Sequence, residues 1–171
     1  MLLSPKNKTF GEYVQSKLLS RDDLEGSIRF IRSNGGTIAT LNGSFDLLHA
    51  GHLEMIYQAS LQADILIMAL NSDASIKKYK SPLRPIIPLE YRIQMVAALE
   101  MVDFVTWFDE TDPKVILEII RPDVHVNGAE YGQDCIEAEV VRSNGGRVHI
   151  VSLVPGLSTT NIIGKIKETC G

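Results

Sequence analysis

Cysteine is nearly absent from this chain, whose 171 residues include only Cys135 and Cys170. Two thiols so far apart build neither a disulfide framework nor a zinc site, and they fit a reducing cytosol in which both stay free. Long apolar runs are missing too. The nearest is Ile65–Leu70, which is strand-sized against the roughly 18 residues of a membrane span, so no membrane association is expected. The first residues, Met1 to Lys6, lack a basic stretch followed by an apolar core and a small-residue cleavage site. A secretory signal is therefore not expected, and a cytoplasmic location is. Positive charge is also in short supply: Lys and Arg number 17 against 21 Asp and Glu, for a net charge of −4. That balance argues against a nucleic-acid groove, where a basic face supplies most of the affinity.

What remains, 44% hydrophobic, 22% charged and 6% aromatic residues, has the composition of an ordinary globular domain. A chain of about 150 residues buries roughly 68–70% of its unfolded surface and needs no cross-link to complete a core. One compact domain is expected, with residues 1–35 as an N-terminal extension and helix and 36–171 as the principal unit. Ser20-Arg21-Asp22-Asp23 reads as a capping box opening a helix through Leu24, Ile28, Phe30 and Ile31, stopped by Gly35-Gly36. A short β-branched strand, Thr37–Leu41, ends in the turn cluster Asn42-Gly43-Ser44, and a helix starts near Gly51. Strands then fall at Ile65–Leu70, Phe104–Phe108, Val124–Asn127 and Val148–Leu153. They are separated by helices over Leu89–Met101, Pro113–Ile120 and Ile136–Ser143, and a last helix covers Asn161–Lys167. Helical crossovers between strands imply a doubly wound α/β domain around a five-stranded parallel sheet. Ligands of such sheets bind outside the carboxyl ends of the strands, at the switch point.

The loop after the first strand is therefore the place for chemistry. It holds His49 and His52, three apart around Gly51. That spacing puts both imidazoles on one face of a helix's first turn, beside the free N–H groups that attract phosphate. Gly51 leaves room for close approach. Metal ligation is the competing reading, but two histidines without a third ligand at suitable spacing make a poor site. A second concentration of charge lies at Lys77, Lys78, Lys80 and Arg84. Alone it reads as a solvated basic loop; opposite the histidine pair it reads as a polyphosphate clamp.

The run Gly43-Ser44-Phe45-Asp46-Leu47-Leu48-His49-Ala50-Gly51-His52 closely resembles the G-x-F-D-x-x-H-x-G-H motif of the cytidylyltransferase-like nucleotidyltransferase superfamily. Gly156-Leu157-Ser158-Thr159-Thr160-Asn161-Ile162-Ile163 is similar to the family's G-x-S-T-T-x-I-I segment, and the same hydroxyls suit a helix N-cap. Asn71-Ser72-Asp73-Ala74-Ser75, Lys80, Arg84-Pro85 and Pro88-Leu89-Glu90-Tyr91-Arg92 resemble a block of bacterial D-glycero-β-D-manno-heptose 1-phosphate adenylyltransferases. One departure stands out: where that family usually reads K-G-G-D-Y, this chain has Asn127-Gly128-Ala129-Glu130-Tyr131.

The resemblance implies a Rossmann-like HxGH nucleotidyltransferase fold and transfer of AMP from ATP to a heptose 1-phosphate, with Mg²⁺ accompanying ATP and a homodimeric assembly. It makes His49, His52, Lys80 and Arg84 the expected catalytic residues. Asn42, Gly43, Ser44, Phe45, Asp46, Gly51, Gly128, Ser158, Thr159 and Thr160 are the expected nucleotide contacts. Lys77, Lys78, Arg92, Asn127 and Glu130 are secondary candidates for the substrate. Asp46 is open between positioning Ser44, meeting a nucleotide hydroxyl and shaping the turn, and Arg92 between phosphate and an acidic partner. With no sugar kinase expected in this length, a separate upstream kinase is implied. Two alternatives stay open: a glycerol 3-phosphate cytidylyltransferase, disfavoured because no arginine precedes Gly156, and a non-catalytic nucleotide-binding module.

Overall fold

The computed structural model describes residues 7–152 and 156–170. Five strands, β1 (Ile38–Gly43), β2 (Ile65–Asn71), β3 (Phe104–Phe108), β4 (Val124–Gly128) and β5 (Arg147–Val151), form one sheet in the order β3-β2-β1-β4-β5. Every pairing is parallel. The chain winds outward from β1 through β2 to β3, then returns past β1 to lay down β4 and β5. The direction of winding reverses between β1 and β4, which opens a crevice at their carboxyl ends.

Period-two alternation sends strand side chains to two cores. Ala39, Leu41, Leu66, Met68, Leu70, Val105, Val124 and Val126 pack on one face with Ile56 and Ala59 of α3 (Ala50–Ser60) and Ile93, Val96 and Ala97 of α5 (Leu89–Ala97). Ile38, Ile67, Ala69 and Phe108 pack on the other with α2 (Arg21–Ser33), α6 (Lys114–Ile120) and α7 (Ala138–Ser143). Leu24, Ile28 and Ile31 of α2 belong to that second core, so part of the N-terminal extension is built into the body of the fold. Strands covered on both faces need the near-continuous apolar runs that β2 displays.

Two helices go beyond the sequence expectation. A capping box, with the Thr9 side chain accepting from the Glu12 N–H and Glu12 reaching back to the Thr9 N–H, opens α1 (Phe10–Gln15). The stretch containing Lys77 and Lys78 is α4 (Asp73–Tyr79) rather than a loop, with Ser72 capping its start. The others fall close to expectation, with α5 ending at Ala97 and α7 beginning at Ala138. The expected fifth strand starts one residue earlier than anticipated, and its last residue, Leu153, lies outside the described residues. The final helix, α8 (Thr159–Cys170), is longer at both ends than its apolar pattern indicates. Among the described residues no helix is long and apolar enough to cross a membrane.

The segment after α1 blunts the exposed edge of β3. Leu19 N–H donates to the Val105 carbonyl at 2.9 Å, and Val105 N–H donates to the Lys17 carbonyl at 2.9 Å. The buried Lys17 ammonium then donates to the carbonyls of Leu99 (3.1 Å) and Val102 (2.7 Å) just beyond α5. A cation there ties the turn that follows α5 to the segment after α1 through charge-assisted hydrogen bonds. Replacing Lys17 with Met should lower the unfolding free energy by about 1.5–3 kcal/mol, the range for a hydrogen bond to a charged group. Urea denaturation measures it, and an unchanged midpoint would remove Lys17 from the account of stability.

Candidate active site

The crevice between β1 and β4 opens into a cleft of about 300 Å³. The loop from β1 to α3 forms one wall. His49 caps α3 from an extended backbone conformation, its Nδ1 accepting from the His52 N–H at 3.4 Å. The imidazoles of His49 and His52 stack with centroids 3.8 Å apart and planes 21° from parallel. Phe45, buried and held at φ 45°, meets His52 edge-on at 5.3 Å. A non-glycine residue with positive φ is uncommon and persists where its surroundings require it. A Cβ at Gly51 would lie 3.1 Å from two atoms of the His49 ring and 3.6 Å from Leu157. Glycine therefore lets the ring, the helix start and the loop before α8 converge.

Burial dominates the electrostatics of the pair. It lowers the His49 pKa, and it pushes that of His52 down to about 4, helped by the neighbouring His49 and Lys80. Both imidazoles are thus neutral near pH 7, each offering one N–H donor. The His52 Nδ1 is buried without a hydrogen-bond partner among the described residues.

Opposite stands the segment after β2. Lys80 caps the end of α4 and its ammonium donates to Ser44 Oγ at 2.7 Å. Burial, then the nearby Arg84, lowers the Lys80 pKa. Asp46, only 2% exposed, accepts from the N–H groups of Ile86 (2.8 Å) and Ile87 (2.8 Å) and from Arg84 Nε at 2.7 Å. Burial alone would raise its pKa, but those N–H groups and the Arg84 guanidinium hold it below the ordinary carboxylate range. Of the options left open by the sequence, the one realised for Asp46 is structural, and it joins the turn after β1 to residues 84–87. Arg84 directs both Nε and Nη2 to that carboxylate.

Ten sequence candidates do not themselves line the cleft: Asp46, Gly51, Lys77, Lys78, Arg84, Arg92, Gly128, Ser158, Thr160 and also His49, which stacks on the lining His52. Arg92 is fully buried, donating to the carbonyls of Ile87, Ser44 and Asn71 and to Asp73 Oδ1. It therefore positions the loops around the cleft and leaves the set of substrate contacts, because its donors are engaged inside the protein. Lys77 and Lys78 lie exposed in the last turn of α4 and do not line the cleft. There they complement the negative end of the helix dipole. Asn42, Gly43, Ser44, Asn127, Glu130 and Thr159 do line it. Ser158 caps α8, its Oγ accepting from the Asn161 N–H at 3.1 Å. Gly128 ends β4, with the Glu130 side chain folded over it. Thr160 sits in the first turn of α8.

The structure adds lining residues that no motif marked, Thr111 and Asp112 after β3 and Glu137 before α7, and two tyrosines, Tyr79 and Tyr131, that were not among the candidate site residues. Their shared signal is position, since each follows the carboxyl end of a strand or a crossover. A larger groove of about 570 Å³ between α2 and α6 carries none of the histidine or lysine chemistry.

His125, fully buried beside Thr40 Oγ1 at 2.8 Å, has its pKa pushed by burial down to about 3. An unfolded histidine titrates near 6.5 (about that value in peptides). Between that pH and the folded values of His52 and His125, the unfolded chain binds more protons, so stability falls as pH drops. The urea midpoint should decline steadily from about pH 6.5 downward, and the His52 ring proton should not titrate above about pH 5 by NMR. A midpoint flat between pH 7 and pH 5 would contradict this.

The family model for cytidylyltransferase-like proteins matches residues 40–165, which includes both cleft walls. The chain is 41% identical over 154 residues to the bifunctional protein HldE of Syntrophotalea carbinolica, covering 90% of this chain and 31% of that protein. It is 43% identical over 157 residues to HldE of Geobacter sulfurreducens, covering 91% and 32%. The chain thus spans about a third of the length of these relatives. A crystal structure of a lipopolysaccharide core biosynthesis protein from Thermoplasma volcanium superposes with TM-score 0.57 at 25% identity, covering 70% of this chain and 98% of that one. A model match over most of the chain, carrying the histidine-flanked start of α3 within it, shows that this chain belongs to the cytidylyltransferase-like family.

Proposed function

We propose that the protein transfers AMP from ATP to D-glycero-β-D-manno-heptose 1-phosphate, giving ADP-heptose and pyrophosphate as a precursor for lipopolysaccharide or another surface glycan. The observation that carries this reading is the stacked His49–His52 pair at the start of α3, facing Lys80 across a cleft at the switch point. The resemblance to HldE supports the acceptor.

An acceptor phosphate oxygen attacks the α-phosphorus of ATP, forming a P–O bond as the bond to the pyrophosphate oxygen breaks in line. No covalent enzyme intermediate is required, so catalysis consists of positioning and charge stabilisation. Neutral imidazoles of His49 and His52 donate hydrogen bonds to phosphate oxygens as negative charge grows there. The anion in turn favours their protonated forms, which adds attraction at the moment it is useful. Lys80 meets the departing pyrophosphate, with Arg84 behind it, oriented by Asp46. Ser158 and Thr159 bring hydroxyls and the start of α8 to the opposite side.

Mg²⁺ accompanies ATP in this reading. Among the described residues no group of three or more His, Cys, Asp or Glu is placed to hold an ion. In this reading the ion is carried by phosphate oxygens and water. The sugar 1-phosphate has to come from a kinase reaction upstream. Two copies of the chain acting as a dimer remain part of this proposal, checked by sedimentation.

Pyrophosphate release, measured with ATP, CTP and GTP each paired with heptose 1-phosphate and glycerol 3-phosphate, tests the assignment. Turnover is expected with ATP and heptose 1-phosphate. Activity confined to CTP and glycerol 3-phosphate would replace it with a cytidylyltransferase. His49→Ala and His52→Ala should each lower kcat by about 10²–10³, the scale for losing one transition-state donor. Full activity in both variants would remove the histidines from the mechanism.

A further inference from the structure

We propose that Glu137, together with Asn42 and Asn127, forms a hydroxyl-binding subsite that receives a vicinal diol of a substrate at the acceptor-rich side of the cleft. The inference rests on the sugar-nucleotide reading above for its ligand, and on the cleft's own geometry for its location. Glu137 is only 5% exposed, yet it lines the cleft with Asn42 and Asn127, which stand at the carboxyl ends of β1 and β4. A carboxylate buried to that degree ordinarily has a cation beside it. None of the ion pairs among the described residues includes Glu137.

Its partners are neutral. Asn42 Nδ2 donates to one carboxylate oxygen at 3.4 Å and Asn127 Nδ2 donates to the other at 3.2 Å. A carboxylate offers about four acceptor sites, so these contacts leave acceptor capacity unused. Turning its amide towards Glu137 directs Asn42 Oδ1 elsewhere, and that oxygen is buried with no donor among the described residues. The two carboxylate oxygens of Glu137, each met by a single amide, leave acceptor capacity that two adjacent donors can fill.

Phosphate is the wrong complement, because it is acceptor-only when ionised and would meet a like charge. A pair of adjacent hydroxyls is the right one, since each can donate to one acceptor. The departure at Asn127 sharpens the point. The lysine that the resembled adenylyltransferases usually carry there could neutralise a carboxylate at Glu137, whereas an amide leaves its charge available to the ligand. The cleft is thereby divided, with His49, His52 and Lys80 for phosphate and Glu137 with Asn42 for hydroxyls. Both ATP, through its ribose, and a heptose ring present vicinal diols.

Steady-state kinetics of the full chain with Glu137→Gln and, separately, Asn127→Lys test the subsite. Glu137→Gln keeps the size and removes the charge; Asn127→Lys keeps Glu137 and supplies a competing ammonium. Each should raise the KM of the diol-bearing substrate by about 10-fold or more, with kcat and the melting temperature little changed. A rise for the sugar 1-phosphate alone assigns the hydroxyls to the acceptor. A rise for ATP, with loss of discrimination against 2′-deoxy-ATP and 3′-deoxy-ATP, assigns them to the ribose. Unchanged KM values for both substrates in both variants overturn the subsite. Absence of turnover by the wild type would instead overturn the proposed reaction. Calorimetric titration of wild type and both variants with ATP and, separately, with heptose 1-phosphate then decides: weaker binding of either ligand in the variants supports the subsite, and equal binding of both overturns it.

Discussion

Asp46 is a carboxylate with almost no contact with water, and most of the cleft's shape follows from how its charge is satisfied. Its N–H donors are backbone groups of Ile86 and Ile87, and its cationic partner is Arg84. A buried carboxylate that lost these partners would carry a large desolvation penalty, so the turn after β1 and the segment after α4 are held together. Arg92 completes the arrangement from beneath by donating to Ser44, Asn71 and Ile87 carbonyls at once. Three loops from three parts of the chain thus share two buried charged side chains. Lys80 reaches Ser44 because both of its neighbours, α4 and residues 84–87, are fixed in this way.

The sheet supplies the other half of the constraint. Parallel β1 and β4 diverge in their connections, so their carboxyl ends open onto loops and the ends of helices such as α3 and α8. The histidine wall comes from the loop leaving β1 and the acid-lined wall from the stretch leaving β4. A cleft that is cationic and hydrogen-bond-donating on one side, and acceptor-rich on the other, suits a ligand with a phosphate end and a hydroxyl end. That polarity arises from strand order, since β1 and β4 are neighbours despite the elements between them in sequence.

Much of this was readable from local patterns. Short apolar and β-branched runs between turn and helix signals indicate all five strands, and Ser20 and Gly35-Gly36 bracket α2 because a cap and a left-handed glycine act within a turn of their own position. The short α1 and α4 were not read as helices, because six or seven residues give too little apolar periodicity to distinguish them from loops. The histidine pair was legible for the same local reason, since its spacing of three acts within one helical turn. Arg92 was ambiguous because its partners lie up to 48 residues away, at Ser44. Glu137 carried no signal at all, for nothing in Ile136-Glu137-Ala138 distinguishes a cleft carboxylate from a solvated helix start.

The sequence by itself determined the alternation of strands and helices, the histidine pair flanking the helix start after β1, and the presence of a local excess of cations in an acidic chain. These are properties of neighbouring residues, set by periodicity, caps and the chemistry of side chains a few positions apart. Only the tertiary structure decided which charges face the cleft and which are consumed in holding it. Lys80 faces Ser44 while Lys77 and Lys78 face water, because α4 presents one side to the sheet and the other to solvent. Arg92 became a buried tie and Glu137 a cleft acid because burial depends on long-range packing, which brings residues from separate crossovers to one end of a single sheet.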